Sequence, residues 1–377
     1  MHVLHVIEAC IGGTRRHVVD ACSGLARSGV RTTLVCSALR EPAFRDDMRA
    51  LSREGVEVHE LAMLRAIRPS TDAAHLFALR KLLRELRPDV VHTHSSKAGV
   101  LGRAASISTG IGARVHTPHT FAFLFGAMFG GASRALFRAI EKELARKTER
   151  FVAVSADEAR TFEAAGFIAR DKIRVVPNGI VPERWTTAEP LARAELGLPE
   201  QVPCAAVVGL LNVAKGQDLA LRALAESGLE RLHLVVVGHG ETAGSLESLA
   251  RELGLRERVH FLGWRDDVQR ILKSVDALLL PSRWEGMPYV VLEAMAAGRP
   301  IVATRVDGAR AVLEEARCGE LCEIDSVPAL AAGLRALFAR EPAQLRELGE
   351  RGRRAVLEHY TAEHMVRGLR TVYEELA

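Results

Sequence analysis

The sequence predicts an α/β protein of two domains, each a parallel β-sheet with helices on both faces. Short apolar segments alternate with amphipathic stretches along most of the 377 residues. Segments such as Leu232–Val237 are apolar without alternation, as expected for strands covered on both faces. A proline-rich stretch interrupts this order once, and a new series begins at Cys204. Repeated strand–helix order predicts parallel sheets, and the single interruption predicts two of them.

Each short apolar segment predicts one strand. Those predicted for the first half are Val3–Ile7, Thr32–Cys36, Val90–His92, Ala113–His116, Phe151–Val154 and Ile173–Val176. Those predicted for the second half are Cys204–Val208, Leu232–Val237, Val259–Leu262, Ala277–Leu280 and Ile301–Ala303. Between them, stretches such as Ala74–Leu86 and Ser245–Leu253 have apolar residues three and four apart, which predicts helices.

The boundary between the domains is predicted within the proline-rich stretch from Pro177 to Pro203, where Asn178-Gly179 signals a turn. We assign residues 1–185 to a first Rossmann-like domain and residues 186–355 to a second. Residues 356–377 form a terminal helix that could pack back on the first domain. Ligands of open α/β sheets bind beyond the carboxyl ends of the strands, so two such domains facing one another would make a cleft.

Composition excludes several classes of protein. With 48% hydrophobic and 26% charged residues, the chain is ordinary globular material rather than disordered, collagen-like or disulfide-framed. A net charge of +4 without a local cluster does not indicate nucleic-acid binding. Lysine is scarce, at seven residues against 44 arginines, so a role specific to lysine has few candidates.

Three features of the sequence predict a cytoplasmic location. Glu8 interrupts the first apolar segment too early for a signal peptide. No apolar run approaches the roughly 18–20 residues that a spanning helix needs. The six cysteines are scattered without a Cys-x-x-Cys motif, which is typical of buried, reduced thiols.

Two loops of the first domain suggest ligand contacts. Gly12-Gly13 lies between a strand and a helix, where backbone N–H groups can approach an anion, although a plain tight turn is the alternative. Histidines follow two strands, in His92-Thr-His94 and in His116-Thr-Pro-His119. They could be packed and hydrogen-bonded, could bind metal, or could contact a polar substrate. No nearby carboxylate or cysteine completes a metal site, so we predict none. His119, which follows Pro118, is favoured as the substrate contact.

An aromatic loop, Phe121–Phe129, precedes a helix predicted over Ser133–Arg150. Arg134, Arg138 and Lys142 step by four along one face of that helix. An apolar loop beside a basic face suits a membrane surface with anionic headgroups. The alternative is a core loop followed by a solvated helix.

Two loops of the second domain are rich in glycine. Lys215 precedes Gly216 at a predicted helix start, where an ammonium adds to the attraction of the helix dipole for phosphate. A surface lysine is the alternative. Gly238-His-Gly240 follows the next strand and could receive a ligand.

Two glutamates follow the strand Ala277–Leu280. Glu285 lies in the loop and Glu293 within the helix that follows, eight residues on and just over two turns away. They should therefore contact different parts of an extended ligand. Carboxylates accept hydrogen bonds from vicinal hydroxyls, which suits ribose and hexose, whereas a solvated charge is the alternative for either one alone.

These residues carry a resemblance to a known family. The segment Pro281-Ser-x-x-Glu285-Gly-x-Pro, continued by Leu-Glu293-Ala-Met-Ala-Ala-Gly, resembles the signature of the retaining glycosyltransferases of family four, which have the GT-B fold. The resemblance extends nearly end to end, through Gly12-Gly13, Val154-Ser155, Val176-Pro-Asn-Gly179, Lys215-Gly216 and Val237-Gly238-x-Gly240.

The resemblance implies roles for these residues. Lys215 would contact the diphosphate of a nucleoside diphosphate sugar, Glu293 the ribose, and Glu285 the hydroxyls of the transferred sugar. His119 would lie near the anomeric centre. It implies three catalytic residues, His119, Lys215 and Glu285. The donor-binding residues would be Gly12, Gly13, Lys215, Gly238, Gly240, Glu285, Gly286, Met287 and Glu293. The family needs no bound metal and no cofactor beyond the donor.

The chain departs from the family pattern at two places. The family usually has arginine where this chain has Leu210, so one of two cations expected at the leaving diphosphate is missing. The family also often has Gly-Gly followed by Glu where this chain has Asp307-Gly308 and Ala311, which changes expected donor contacts.

A narrower resemblance concerns the acceptor. The stretch from His92 through Lys97 to Leu101-Gly-Arg, with Thr117-Pro-His-Thr-Phe, is similar to bacterial transferases of capsule and exopolysaccharide assembly. These extend lipid-linked sugars at the cytoplasmic membrane face. The acceptor or membrane side would then comprise His94, Lys97, Phe123, Arg134 and Arg138.

The sequence therefore predicts a metal-independent retaining hexosyltransferase that moves a sugar from a nucleotide sugar to an acceptor hydroxyl, in cell-surface polysaccharide or glycolipid synthesis. One alternative, favoured by Leu210, is a weakly active GT-B subunit that binds nucleotide sugar. The other is a GT-B sugar-nucleotide epimerase.

Overall fold

The computed structural model describes residues 1–124 and 130–376. The chain divides into two compact units, Met1–Asn178 with the segment from Ala362 onward, and Gly179–Thr361. The division thus follows the Asn178-Gly179 turn, a few residues before the predicted boundary at 185. The terminal segment of the first unit begins at Ala362, because the helix that ends at His359 belongs to the second unit.

The first unit contains a seven-stranded parallel sheet in the order β3-β2-β1-β4-β5-β6-β7. Its strands are β1 (His2–Ile7), β2 (Arg31–Cys36), β3 (Glu57–Glu60), β4 (Val90–His94), β5 (Ala113–Thr117), β6 (Arg150–Ala153) and β7 (Ile173–Val175). Its first six helices are α1 (Gly12–Arg27), α2 (Phe44–Arg53), α3 (Pro69–Leu86), α4 (Ser96–Thr109), α5 (Gly131–Arg146) and α6 (Ala156–Ala165).

The second unit contains a six-stranded parallel sheet in the order β10-β9-β8-β11-β12-β13. Its strands are β8 (Cys204–Val208), β9 (His233–Val237), β10 (Val259–Gly263), β11 (Ala277–Leu280), β12 (Ile301–Thr304) and β13 (Gly319–Cys322). Its helices are α7 (Glu183–Thr186), α8 (Gln217–Glu226), α9 (Ala243–Glu252), α10 (Val268–Ser274), α11 (Tyr289–Ala296), α12 (Ala309–Ala316), α13 (Val327–Phe338) and α14 (Pro342–His359).

Central strands are apolar on both faces because helices cover both faces of each sheet. Every residue of β1, β9 and β11 is buried, which explains why these segments lack alternation. In each unit the strand order reverses beside the first strand, between β1 and β4 and between β8 and β11. Loops after these strands therefore lie where open α/β sheets bind ligands.

The last helix, α15 (Ala362–Glu374), completes the first unit. Its apolar face, with Met365, Leu369 and Tyr373, is buried in one core cluster with Val3 and Leu25. The terminal helix thus packs against α1 and the first sheet, which is the placement that the sequence left open.

Candidate functional site

Lys215 lies at the carboxyl edge of the second sheet. After β8 the chain makes a short 3₁₀ turn over Val213–Lys215, and α8 begins at Gln217. The Asn212 side chain accepts the backbone N–H of Lys215 at 3.2 Å, which fixes the turn. The turn places the lysine at a helix N-terminus, as the sequence predicted.

The structure brings Lys215 and Glu285 together. The Lys215 Nζ lies 2.6 Å from Glu285 Oε1, and the Ser282 hydroxyl donates to the same oxygen at 2.8 Å. The two charged side chains are 25% and 11% exposed, so the pair is partly shielded yet accessible. The loop after β11 and the turn after β8 therefore form one polar site within the second unit.

Arg283 holds these two loops together, a contact that the sequence did not indicate. Its backbone N–H donates to Ala214 O at 2.7 Å, and its guanidinium donates to Val213 O at 2.8 Å. The guanidinium also donates two hydrogen bonds to Asp218, at 2.9 and 2.8 Å. Burial tends to raise the pKa of Asp218, but hydrogen bonds and the charge of Arg283 outweigh it and lower that pKa.

Glycines allow the loops to approach closely. A Cβ atom on Gly216 would overlap the carbonyl of Pro281, and one on Gly238 would overlap the carbonyl of Gly209. A Cβ on Gly240 would meet the Leu211 carbonyl in the same way. Close packing of the loops thus accounts for glycine at these three positions. Donor contact by Gly238 and Gly240 stays a prediction.

Glu293 lies in the second turn of α11 and is buried to 8% exposure. Met287 is buried just before that helix. Gly308, at φ 74°, packs against Gly286 and Met287, so the loop after β12 reaches the loop that carries Glu285. The segment 285–293, the Lys215 turn and the Asp307-Gly308 turn thus converge at one edge of the sheet.

Two aromatic rings stand at the neighbouring strand ends. His239 follows β9 and Trp264 follows β10, with ring centroids 5.1 Å apart. The Trp264 indole is 66% exposed, which is unusual for so large an apolar surface. The sequence places His239 in a glycine-rich loop but carries no signal for its contact with Trp264.

In the first unit, α1 begins at Gly12, which has φ 50° and is exposed together with Gly13. The helix has 16 residues, so its first N–H groups and its dipole are available to an anion. This arrangement fits the predicted phosphate approach, which stays a prediction.

His119 joins a cluster of histidines at the carboxyl ends of β1, β4 and β5. His94 Nδ1 lies 3.3 Å from His119 Nε2, and His94 Nε2 lies 3.0 Å from His5 Nδ1. Burial, reinforced by neighbouring histidines, holds the pKa of His94 and of His119 well below the imidazole value. Both rings are therefore neutral near pH 7 and can donate or accept one hydrogen bond at each nitrogen.

The backbone around His119 is constrained. His119 and Thr120 have φ 51° and 78°, values that side chains with a Cβ rarely adopt. The buried Glu158 stabilises the loop by accepting the N–H of Thr120 at 2.8 Å and that of Val154 at 2.7 Å. Strained backbone that neighbours hold in place is common at functional sites.

The residues predicted for the acceptor or membrane side make contacts within the first unit. Lys97 pairs with Asp72 at 2.6 Å, and Phe123 is buried against other aromatic rings. Arg134 donates to Phe123 O at 2.8 Å and Arg138 to Ala165 O at 2.9 Å. The rest of the aromatic loop, 125–129, lies outside the described residues. An acceptor role for these side chains stays a prediction.

Across residues 1–124 and 130–376, no helix has both the length and the apolar character needed to cross a bilayer.

The chain matches two family models that together span most of its length. Residues 11–184 match "Glycosyltransferase Family 4", and residues 189–355 match "Glycosyl transferases group 1". It is 31% identical over 264 residues to an Escherichia coli UDP-Gal:alpha-D-GlcNAc-diphosphoundecaprenol alpha-1,3-galactosyltransferase, covering 68% of each chain. It is 33% identical to a D-inositol 3-phosphate glycosyltransferase of Nocardia farcinica over 70% of this chain and 61% of that one.

Solved structures share the fold over the whole chain. A sucrose-phosphate synthase from Thermosynechococcus elongatus has a TM-score of 0.83 at 20% identity, covering 100% of this chain and 99% of its own. Anabaena HepE in complex with UDP has a TM-score of 0.81 at 19% identity, with both chains fully covered. The predicted fold class, two Rossmann-like domains of the GT-B type, is confirmed.

Proposed function

The chain belongs to the glycosyltransferases of family 4, and on that premise we propose that it moves a sugar from a nucleoside diphosphate sugar to an acceptor hydroxyl. The observation that carries this proposal is the pairing of Lys215 with Glu285 at the carboxyl edge of the second sheet. One cation for a diphosphate and one carboxylate for sugar hydroxyls are adjacent there.

The leaving diphosphate is the centre of the proposed chemistry. Negative charge develops on it as the glycosidic bond breaks, and a positioned ammonium stabilises that charge. Leu210 removes the usual arginine, and Arg283 is already paired with Asp218 and Asp325. Lys215, with the N-terminal N–H groups of α8, therefore carries more of this charge than its counterparts in relatives that keep the arginine.

The nucleoside would lie along the same edge. Glu293 would bond the ribose hydroxyls, and the exposed Trp264–His239 pair would stack on the base. UDP is the nucleotide in the HepE complex, and UDP-Gal is the donor in the name of the Escherichia coli relative. We propose a uridine diphosphate sugar as the donor.

Retention of the anomeric configuration is the proposed stereochemical outcome. The acceptor would attack from the face that the diphosphate leaves, and its proton would pass to the departing phosphate oxygen. His119, a neutral imidazole, would donate a hydrogen bond to a sugar hydroxyl rather than supply charge. No resident metal is proposed for this transfer.

The acceptor we propose is a lipid-linked saccharide, because the name of the Escherichia coli relative includes GlcNAc-diphosphoundecaprenol. We further propose that the transfer takes place at the cytoplasmic membrane face. Arg138 and Lys142 are both exposed on α5 and lie one turn apart on the same face, which would meet the bilayer. Co-sedimentation with phosphatidylglycerol vesicles tests this: Lys142→Glu with Arg138→Glu should abolish binding, and Lys81→Glu on α3 should not. No binding by the unchanged protein would refute the membrane contact.

The transfer is tested with UDP-galactose, UDP-glucose, UDP-N-acetylglucosamine and GDP-mannose, each supplied with a GlcNAc-diphospholipid acceptor. We expect nucleoside diphosphate release with a UDP-sugar and an α-linked product by NMR. A β-linked product would overturn retention. Binding without release would favour a nucleotide-sugar-binding subunit. The absence of both binding and release would overturn the proposal that the protein is an enzyme.

A further inference from the structure

Five histidines form one cluster in the first unit, comprising His5, His17, His92, His94 and His119. They come from β1, α1, β4 and the loop after β5, and ring centroids such as those of His92 and His94 lie 4.1 Å apart. Sugar transfer as proposed uses one ring nitrogen of His119, as a hydrogen-bond donor. The other nitrogen of His119, which lies beside His94, and the four other histidines require a separate explanation.

Hydrogen bonding distinguishes the members of this cluster. His92 is satisfied at both nitrogens, by the Tyr373 hydroxyl at 2.6 Å and by Thr117 Oγ1 at 2.8 Å. His17 is bonded at one nitrogen only. Its Nδ1 donates to the Asn178 amide oxygen at 2.8 Å, and its buried Nε2 has no hydrogen-bond partner among the described residues.

His17 lies beside two other histidines that also offer ring nitrogens. One ligand nitrogen from each of His17, His94 and His119 lies within 4.8 Å of the other two. The separation of His94 Nδ1 from His119 Nε2 is 3.3 Å. Two nitrogens bound at about 2.1 Å to one tetrahedral zinc ion are separated by about 3.4 Å, so small side-chain rotations would complete the geometry.

We propose that His17, His94 and His119 bind a divalent transition-metal ion of the zinc class. Three imidazoles suit such an ion, and a fourth position would remain open beside the half-buried His119. Asn178 accepts a hydrogen bond from the far nitrogen of His17, and His5 Nδ1 lies 3.0 Å from the far nitrogen of His94, where it can accept one in the matching tautomer. Such partners are the usual way of orienting metal-binding histidines.

The protonation states fit this role. Burial lowers the pKa of His17 to about 4 and that of His94 and His119 well below 6.5. Neutral imidazoles bind metal without losing a proton, and only a tautomer shift is needed. A second trio, His5, His92 and His94, is disfavoured because a metal bound by either nitrogen of His92 would displace the hydrogen bond to Tyr373 or to Thr117.

The test is metal binding by the full chain after dialysis against EDTA. Zn²⁺ is titrated against a chromophoric chelator, and Co²⁺ is used to detect tetrahedral absorption. We expect one equivalent per chain. The six cysteines are all buried, so thiols should not compete for the ion.

Variants locate the ion. His17→Ala and His119→Ala should each weaken binding at least tenfold, and Asn178→Ala should weaken it about 10–100-fold. His260→Ala, which alters a stacked histidine pair of the second unit, should leave binding unchanged. His119 is half-buried, so its variant should fold, and circular dichroism checks each protein.

Three outcomes would overturn the proposal. The first is the absence of stoichiometric Zn²⁺ binding, and the second is a Zn²⁺ affinity in His17→Ala and His119→Ala equal to that of the unchanged protein. The third is loss of the ion in His92→Gln but in neither of those two variants. The last result would assign the metal to the His5–His92–His94 trio. All of these readouts are independent of sugar transfer.

Discussion

Lys215 and Glu285, which are 70 residues apart in sequence, form an ion pair of 2.6 Å within the second unit. An ammonium that is already paired with a carboxylate must exchange or share that partner when it contacts a diphosphate. Under the proposed function, Glu285 would then accept hydrogen bonds from sugar hydroxyls, with Ser282 still donating to it. In the proposed donor complex, the two side chains would therefore contact neighbouring parts of one ligand, the diphosphate and the sugar.

Lys215→Ala should lower the rate of nucleoside diphosphate release by about 10²–10³-fold, because it removes a charge aimed at the leaving group. Lys81→Ala is the matched control, since that lysine side chain is 78% exposed on α3. Initial rates with saturating donor measure both. An unchanged rate in Lys215→Ala would remove the lysine from the mechanism.

Glu293→Gln should weaken UDP-sugar binding by about 1–2 kcal/mol, since a charge-assisted hydrogen bond to ribose becomes a neutral one. The glutamine keeps the shape of this buried side chain. Calorimetric titration with UDP gives the affinity, and Glu252→Gln on the exposed face of α9 is the comparison. Equal affinity for both variants would argue against a ribose contact.

Gly216→Ala should destabilise the second unit more than Gly254→Ala. Both glycines have positive φ, 63° and 69°, so each alanine costs about 1–2 kcal/mol in backbone strain. Only at Gly216 would the new methyl group also overlap a carbonyl, which adds about 1–3 kcal/mol. The three tryptophans all lie in the second unit, so their fluorescence on urea unfolding measures it. Similar losses in both variants would contradict the predicted overlap.

Acid should destabilise the first unit progressively as the pH falls below about 6.5. Burial lowers the pKa of His17 to about 4 and of His5 to about 3, whereas the unfolded chain takes up these protons near pH 6.5. Above pH 6.5 these histidines are therefore neutral in both states and do not lower the free energy of unfolding. Each of these histidines removes about 1.4 kcal/mol per pH unit as the pH falls towards its folded value.

Hydrogen exchange of β1 and β4 peptides from pH 7 to 4.5 measures this loss. Peptides of β9 and β10, in the second unit, are the comparison. The histidines with lowered pKa values on these strands are His233 and His260. Constant protection of β1 and β4 down to pH 5 would contradict the prediction.

The central strands of both sheets were all predicted from sequence, whereas only two of the four edge strands, β7 and β10, were. Cys204–Val208 and Ala277–Leu280 are observed at the predicted bounds, because buried parallel strands must be apolar throughout. β3 and β13 were missed. β3 has the polar sequence Glu-Val-His-Glu and is only partly buried, since an edge strand has one neighbour and needs fewer apolar side chains.

The residues of the candidate site also differ in how well they could be predicted from sequence. Lys215 and Glu285 could be placed from local motifs, since each follows a strand at the carboxyl edge. The histidine cluster could not be assembled, because its contacts join residues far apart in sequence. Tyr373 and His92, for example, are separated by 281 positions. His17 carries no local signal, since a buried histidine on an amphipathic helix looks like ordinary core.

The placement of α15 determines the order in which the chain can fold during synthesis. The second unit is one continuous segment, whereas the first waits for residues translated after all of it. Until Tyr373 leaves the ribosome, His92 lacks its hydroxyl partner and the pocket beside Val3 and Leu25 stays open. The nascent chain should therefore present a complete second unit before the first unit, which bears the histidine cluster, can close.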